Sequence, residues 1–407
     1  MLQEKPMMLK DVRIYGEDVI YDNGYIITHN GKIIEIGHTA ELSEDTIRNC
    51  TIIPIPSSCQ LVPGMIDVHI HGAAGADTMD ASPGALEAIA THLPMEGTTS
   101  FLATTITQST TSIERALANV AECMNLDQNG AEILGIHLEG PFISEKRAGA
   151  QPLAYIKQPD VDLFKKWQKI AQGIIKVVTL APEFEGSPEL LHYLKETEVV
   201  ASLGHSEATY EDVHNAITAG ASHVTHLFNA MSGLHHREPG LAAAALMRDE
   251  LFVEIIADGI HVHPEMIRLA HRQKSTAKVI LITDSIRAKG MKPGIYDLGG
   301  QQVIVDESQA TLQDGTLAGS MLAMNDAWRN FQSYTNCSME DMIQMTAVNP
   351  AKQLKVYDRK GSIAVGKDAD LVLRSKDAEI VMTFCKGTIA YKNGGLMNES
   401  HSSEKLR

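Results

Sequence analysis

The chain has 407 residues, 51 acidic against 35 basic side chains, a net charge of -16, and 44% hydrophobic and 21% charged residues. This is the balance of an ordinary globular protein, long enough for one large α/β barrel with a small companion domain, and it excludes the disordered classes. The acidic excess repels phosphate backbones and anionic lipid, so neither nucleic acid nor a membrane surface is an expected partner, and an anionic small substrate needs its own local cation.

Residues 1–10 lack an apolar core and a cleavage site, and no stretch approaches about 18 unbroken apolar residues, so a cytoplasmic location is expected. The five cysteines (Cys50, Cys59, Cys123, Cys337, Cys385) form no CxxC pair and read as free thiols of a reducing compartment rather than as zinc ligands.

From Met8 to Ile55 short β-type runs are punctuated by Asp22-Asn23-Gly24 and Asn30-Gly31, both suited to hairpin turns. Eight apolar runs follow, near 65–70, 98–105, 133–139, 174–182, 199–204, 223–228, 251–257 and 278–284. Amphipathic patterns such as 109–125, 210–219 and 264–274 separate them. Strand-then-helix units in series predict a closed parallel (β/α)8 barrel, whose functional residues sit at the C-terminal ends of strands. The segments 361–373 and 380–392 return to β-type patterning, closed by Asn393-Gly394-Gly395, and the polar end from Asn398 is expected to fray. Both termini are therefore predicted to form a β-sandwich from residues 1–61 and 357–407, around a catalytic barrel of residues 62–356.

The chemistry is carried by polar residues that end the apolar runs. In Gly64-Met-Ile-Asp67-Val-His69-Ile-His71-Gly72, two histidines two apart on a strand share one face, ready to hold one metal ion. Glu139, His205, His226 and Asp284 end later runs at equivalent places. Glu139, His205 and His226 make a ligand set for a divalent ion; His69 and His71 add a second position, which Glu139 can bridge. Such an ion lowers the pKa of water towards about 7 and polarises a carbonyl, which suits amide hydrolysis, and Asp284 can serve as base and then as acid. His137 and His223 read as supporting or packing residues, Asp67 as packing, and 241–247 as a short buried helix. The run Gly361 to Lys367 is followed by Asp368 rather than Ser or Thr, so it is not a phosphate-binding loop. Most of the chain's 17 histidines read as solvated or simply hydrogen-bonded.

Pro63 to His71, the late-strand Asp284 and Gly361-Ser-Ile-x-x-Gly-x-Asp-Ala-Asp-Leu-Val372 together resemble the amidohydrolase superfamily, over almost the whole chain. Within it, His137-Leu-Glu-Gly-Pro-Phe142, Gly204-His205-Ser206, Thr225 to Met231, Ala257-Asp-Gly-Ile-His261, Thr283-Asp284 and Leu317-Ala318-Gly319-Ser320 are similar to its sugar-phosphate deacetylase branch. The resemblance implies hydrolysis of the acetamide of N-acetyl-D-glucosamine 6-phosphate to D-glucosamine 6-phosphate and acetate, in amino sugar catabolism.

It further implies that Glu139 replaces the carbamylated lysine of other relatives. Glu139, His205 and His226 would hold the main metal, with Asp284 as acid/base. Asn229, Ala230 and the 317–320 segment would contact substrate. Beside the acetamide, Gln151, after Ala150, stands where some relatives carry a histidine. Arg237 and His261 suit a phosphate, Arg237 as a planar bidentate donor. The resemblance has the arginine reach into a neighbouring subunit's site, which implies a homodimer. His69 and His71 favour two ions over one, drawn from Zn, Fe, Mn or Co. The rival readings are deacylation of another N-acyl sugar or N-acyl amino acid, and a non-catalytic oligomeric homologue.

Overall fold

The structure is a computed structural model that describes residues 5–126 and 129–398. The stretch expected to fray lies, beyond Asn398, outside the described residues. Eight parallel strands form the barrel sheet in chain order: β1 (Met65–Ile70), β2 (Thr98–Thr105), β3 (Glu132–Glu139), β4 (Ile175–Leu180), β5 (Val200–Leu203), β6 (His223–Val224), β7 (Phe252–Ile256) and β8 (Val279–Ile282). Helices cover their outer face, so the strands are buried on both sides and read as nearly continuous apolar runs.

The cylinder closes between β8 and β1. The N–H of Asp284 donates to the carbonyl of His69 at 2.9 Å, and the N–H of His71 to the carbonyl of Ser285 at 2.9 Å. Residues on the first and last strands, more than 200 apart in sequence, thereby become neighbours.

The helices start where side-chain caps satisfy their free N–H groups. Ser109 caps Thr110–Cys123, and Thr209 with Asp212 makes a reciprocal capping box on Tyr210–Ala219. Pro264–Lys274 opens with proline in its first turn, where no N–H is needed. Leu241–Met247 is a short helix whose first six residues are buried. No helix among the described residues is long and apolar enough to cross a membrane.

Strands from both ends of the chain share one eight-stranded sheet. In spatial order these are Thr388–Lys392, Ile380–Cys385, Leu371–Arg374, Gln60–Pro63, Met7–Tyr15, Ile20–His29 and Lys32–His38, with Thr51–Ile52 beside Met7–Tyr15. The sheet curls around an apolar cluster of Ile14, Ile26, Leu61, Leu371 and Phe384. Its distant turns meet through Ala369, whose N–H donates to Gly31 and whose carbonyl accepts from Gly387, both at 2.9 Å.

Asn30-Gly31 is the expected tight turn, both residues having positive φ (47° and 78°). Asp22-Asn23-Gly24 is not a turn: it lies inside the strand Ile20–His29, opposite a stretch where the pairing register shifts twice. The glycine there marks a β-bulge, and the chain reverses earlier, where the N–H of Gly16 reaches the carbonyl of Val19.

At the N-terminal end of the barrel a charge cluster ties this sheet down. Lys360, whose side chain is 1% exposed, pairs with Glu132 of β3 at 2.7 Å, with Asp368 at 3.1 Å and with Asp370. Arg359 spans Glu132 at 3.0 Å and Asp368 at 2.7 Å.

After β8 an antiparallel three-stranded sheet (Gly294–Leu298, Gln301–Val305, Ala310–Thr311) is inserted, which the periodicity did not announce. Its buried Leu298, Val303 and Ala310 pack with Ile106, Ile286 and Ala318 and bring the following loop over the mouth of the barrel.

Candidate metal centre

Three of the suspect residues share one local device. His205, His226 and Asp284 each stand two positions beyond their strands and adopt left-handed backbone, with φ of 48°, 29° and 48°. Such conformations cost non-glycine residues on the order of 1 kcal/mol or more, and they collect where the surrounding structure forces a side chain into a site. Before His205 comes Gly204, where a Cβ would stand 2.8 Å from the Cβ of Thr225; only glycine lets β5 and β6 approach this closely. Glu139 is the last residue of β3, while His69 and His71 flank the end of β1.

The side chains converge. Oε1 of Glu139 lies 3.1 Å from Nε2 of His205, 3.2 Å from Nε2 of His226 and 3.4 Å from Nε2 of His69. The Nε2 atoms of His205 and His226 are themselves 3.0 Å apart. Oε2 of Glu139 faces Nε2 of His71 at 3.2 Å and accepts from the amide of Gln151 at 2.7 Å. Oδ1 of Asp284 lies 3.3 Å from Nε2 of His69 and 3.4 Å from Nε2 of His71. Glu139–His205–His226 and His69–His71–Asp284 thus form two compact donor groups, both fully buried.

Tautomers follow from the far ring nitrogens. Nδ1 of His205 donates to the carbonyl of Arg147 at 2.8 Å, and Nδ1 of His69 to Glu254 at 3.0 Å, so each ring turns its Nε2 inward, where a metal ion would displace any proton it carries. Buried Nε2 of His69 finds no hydrogen-bond partner.

Residues and a metal ion fit. Tetrahedral ligands about 2.0–2.1 Å from one ion stand roughly 3.3 Å apart, close to the 3.0–3.2 Å separations in the Glu139 group. Imidazole with carboxylate is a donor set for zinc and its first-row neighbours.

The field at this point favours positive charge. Burial acts against a charged His69, yet Asp284, Glu139 and Glu254 outweigh it and hold its pKa well above the ordinary value. His71 is pushed up to about 9 by Asp284 and Glu139, also against burial. Burial would raise Glu139, but the charge of His69 and hydrogen bonds from His205 and His226 hold it well below the usual range.

The neighbouring residues read as support are built accordingly. His137 is brought down to about 3 by burial and by the charge of His69, so it is neutral, and its Nε2 pairs with the Thr179 hydroxyl at 2.7 Å. Asp67 packs: it accepts from the Thr283 hydroxyl at 2.5 Å and from the N–H of His69 at 3.2 Å, tying β1 to the end of β8.

Both groups open on a cavity of about 230 Å³. Ala150, Gln151, Asn229, Ala230 and His261 line it, as do Leu317 and Gly319. His261 presents an unpartnered Nε2 there, while its Nδ1 is held by Asp258 at 2.6 Å, a bond that raises its pKa against burial. Three of the residues expected to contact substrate do not line it. Ala318 packs under the inserted sheet. Ser320 is buried, its hydroxyl donating to the Thr283 carbonyl and its N–H to that of Asp284. Arg237 is exposed on a loop, bonded to His236 at 2.8 Å.

Sequence reasoning misses Ile106, Gly149, Leu298 and Thr316, which also line the cavity, and the buried Glu254. Glu254 carries a signal, a lone acid inside the apolar run Phe252-Val-Glu-Ile-Ile256; the others carry none.

A parallel barrel with histidine and carboxylate donors at the C-terminal ends of its strands is the architecture of a metal-dependent hydrolase. The chain belongs to the amidohydrolase family, a metal-dependent family that its residues 60–390 match. It is 51% identical, over 95% of its own length and 97% of the relative's, to the N-acetylglucosamine-6-phosphate deacetylase of Bacillus subtilis (strain 168). To the enzyme of the same name from Lysinibacillus sphaericus it is 47% identical, over 81% and 85% of the two chains. Among solved structures it is similar to a mutant N-acetyl-D-glucosamine-6-phosphate deacetylase from Mycobacterium smegmatis in complex with N-acetyl-D-glucosamine-6-phosphate. The TM-score is 0.89 at 28% identity, covering 96% of this chain and all of the other.

Proposed function

We propose that this chain hydrolyses the acetamide of N-acetyl-D-glucosamine 6-phosphate, releasing acetate and D-glucosamine 6-phosphate in amino sugar catabolism. The observation that carries the reading is the meeting of Glu139, His205 and His226 within 3.2 Å of one another at the floor of the cavity that His261 also faces.

Glu139, His205 and His226 would hold one divalent ion, and His69 and His71, with Glu139 and Asp284 beside them, would hold a second, each Zn, Fe, Mn or Co. When bound, the ions lower the pKa of water and polarise the acetamide carbonyl. Asp284, whose Oδ1 sits between His69 and His71, takes the proton that water gives up on adding to the carbonyl carbon. It returns that proton to the sugar nitrogen as the C–N bond breaks, so one carboxylate serves both transfers. Gln151 donates to Glu139 while its own oxygen accepts from the N–H of Thr107 at 2.7 Å, which fixes the amide against the end of the site where the acetyl group lies. Asn229 and Ala230, with the loop from Leu317 to Ser320, form the sugar's walls.

No lysine or arginine among the described residues lines the cavity, and a dianionic phosphate asks for more than the single imidazole of His261. Arg237, exposed and with no carboxylate partner among the described residues, supports the reading of a homodimer in which the arginine of one protomer completes the phosphate site of its partner. The working location is the cytoplasm.

The test is acetate release from N-acetyl-D-glucosamine 6-phosphate and from N-acetyl-D-glucosamine. We expect a kcat/KM preference of on the order of 10² or more for the phosphorylated sugar, the value of one or two charge-assisted contacts. Equal turnover of both sugars sinks the phosphate assignment, and no acetate from either sinks the activity.

A further inference from the structure

Glu254 lies in the middle of β7 and is wholly buried. Inward positions of a parallel barrel usually carry Val, Ile or Leu, so a carboxylate here calls for a reason. Its two oxygens serve three donors. Oε2 accepts from Nδ1 of His69 at 3.0 Å and from the backbone N–H of His226 at 3.1 Å; Oε1 accepts from Nε2 of His223 at 3.1 Å. The His223 proton is on that nitrogen because the amide of Gln353 approaches its Nδ1 at 3.2 Å.

His69 stands in the donor group with His71 and Asp284 and also in one with His137 and Glu254 itself, while His226 belongs to the Glu139 group. On the other side of the His69 ring stands His137, edge-on at 4.5 Å between centroids, but its Nε2 is engaged by Thr179.

We propose that Glu254 is a positioning residue that makes His69 a metal ligand: by holding the Nδ1 proton it aims the Nε2 lone pair between Glu139 and Asp284. By gripping the N–H of His226 it sets that group's left-handed turn at the same time. The inference rests on the reading of His69 and His71 as ligands of a second ion. Carboxylates that accept from a ligating histidine fix its tautomer and raise its basicity, and losing one commonly weakens metal affinity 10–100-fold.

Glu254→Gln tests this. An amide offers one acceptor oxygen where the carboxylate offers two, so whichever way the introduced amide turns, His69 or His223 faces an NH2 group. Stripped wild-type and variant proteins are titrated with cobalt(II) chloride, read by visible absorption and by ions per chain after gel filtration, with thermal denaturation of each stripped protein alongside.

We expect wild type to bind two ions, and E254Q to bind the second at least tenfold more weakly, its part of the cobalt spectrum fading, with a smaller loss at the first. If E254Q gives no folded protein, Glu254→Asp is read in the same way; it keeps the charge but draws the oxygens back from His69, and the same selective loss is expected. Two ions bound with wild-type affinities and spectrum overturn the role of Glu254. A wild-type protein that binds no second ion fails differently and overturns the two-ion reading beneath it.

Discussion

Both ends of the barrel bury charge, and they use it in opposite ways. At the N-terminal end Glu132, Asp368 and Asp370 are matched within a few ångströms by Lys32, Arg359 and Lys360, joining β3 to the terminal sheet. At the C-terminal end Glu139, Asp284 and four histidines point at shared space, three of these six on left-handed backbone and with ring nitrogens left unpaired. Charge completed from within holds the molecule together; charge that must be completed from outside binds and reacts.

Substitutions at the two ends should therefore separate cleanly into losses of activity and losses of stability. The largest effect is expected for Asp284→Asn: kcat/KM for acetate release falls on the order of 10³-fold, since the proton relay is lost, while the thermal midpoint moves little. A variant that unfolds instead would break the comparison.

Next comes Glu132→Gln, which takes one carboxylate partner from the buried Lys360 and the half-buried Arg359 and is expected to cost about 3 kcal/mol in urea denaturation with kcat unchanged. Arg237→Ala follows, with a loss of about 2 kcal/mol in transition-state binding, roughly 30-fold in kcat/KM, on the phosphorylated sugar and none on the neutral one.

The smallest effect sharpens the stability side. Against the opposing effect of burial, hydrogen bonds and charge from Arg359 and Lys360 bring Glu132 from an ordinary 4.5 to about 2, and Lys32, Lys360 and Arg359 bring Asp368 from 3.8 to about 2. A depressed carboxylate stabilises fully above its unfolded value and loses that contribution as pH falls through its folded one. The stability gap between wild type and E132Q should hold above pH 4.5 and close as pH approaches 2.

Much of this was legible before any coordinates. Five of the eight apolar runs ended in suspect polar residues because parallel strands are buried on both faces and must surface at one rim, so Glu139, His205, His226 and Asp284 were visible as interruptions of a pattern. The same logic should have exposed Glu254, but an acid within a run, rather than at its end, reads as noise unless one asks what neutralises it.

Other features were out of reach for physical reasons. The inserted sheet after β8 has an exposed face, with Ile295 and Ile304 outward, so its alternation is blurred. Ile106 and Leu298 line the cavity only because that sheet folds over. At Asp22-Asn23-Gly24 the turn chemistry was real, but the chain spends it on a bulge. Arg237 was found by its chemistry, and it stands on an exposed loop outside the cavity's lining.

The central claim, that the two donor groups hold divalent ions needed for amide hydrolysis, is tested most directly by following acetate release from N-acetyl-D-glucosamine 6-phosphate with chelator-stripped protein before and after a divalent ion is returned. Turnover should vanish on stripping and return as the ions are restored. Full turnover by protein shown by elemental analysis to carry no metal would contradict the account.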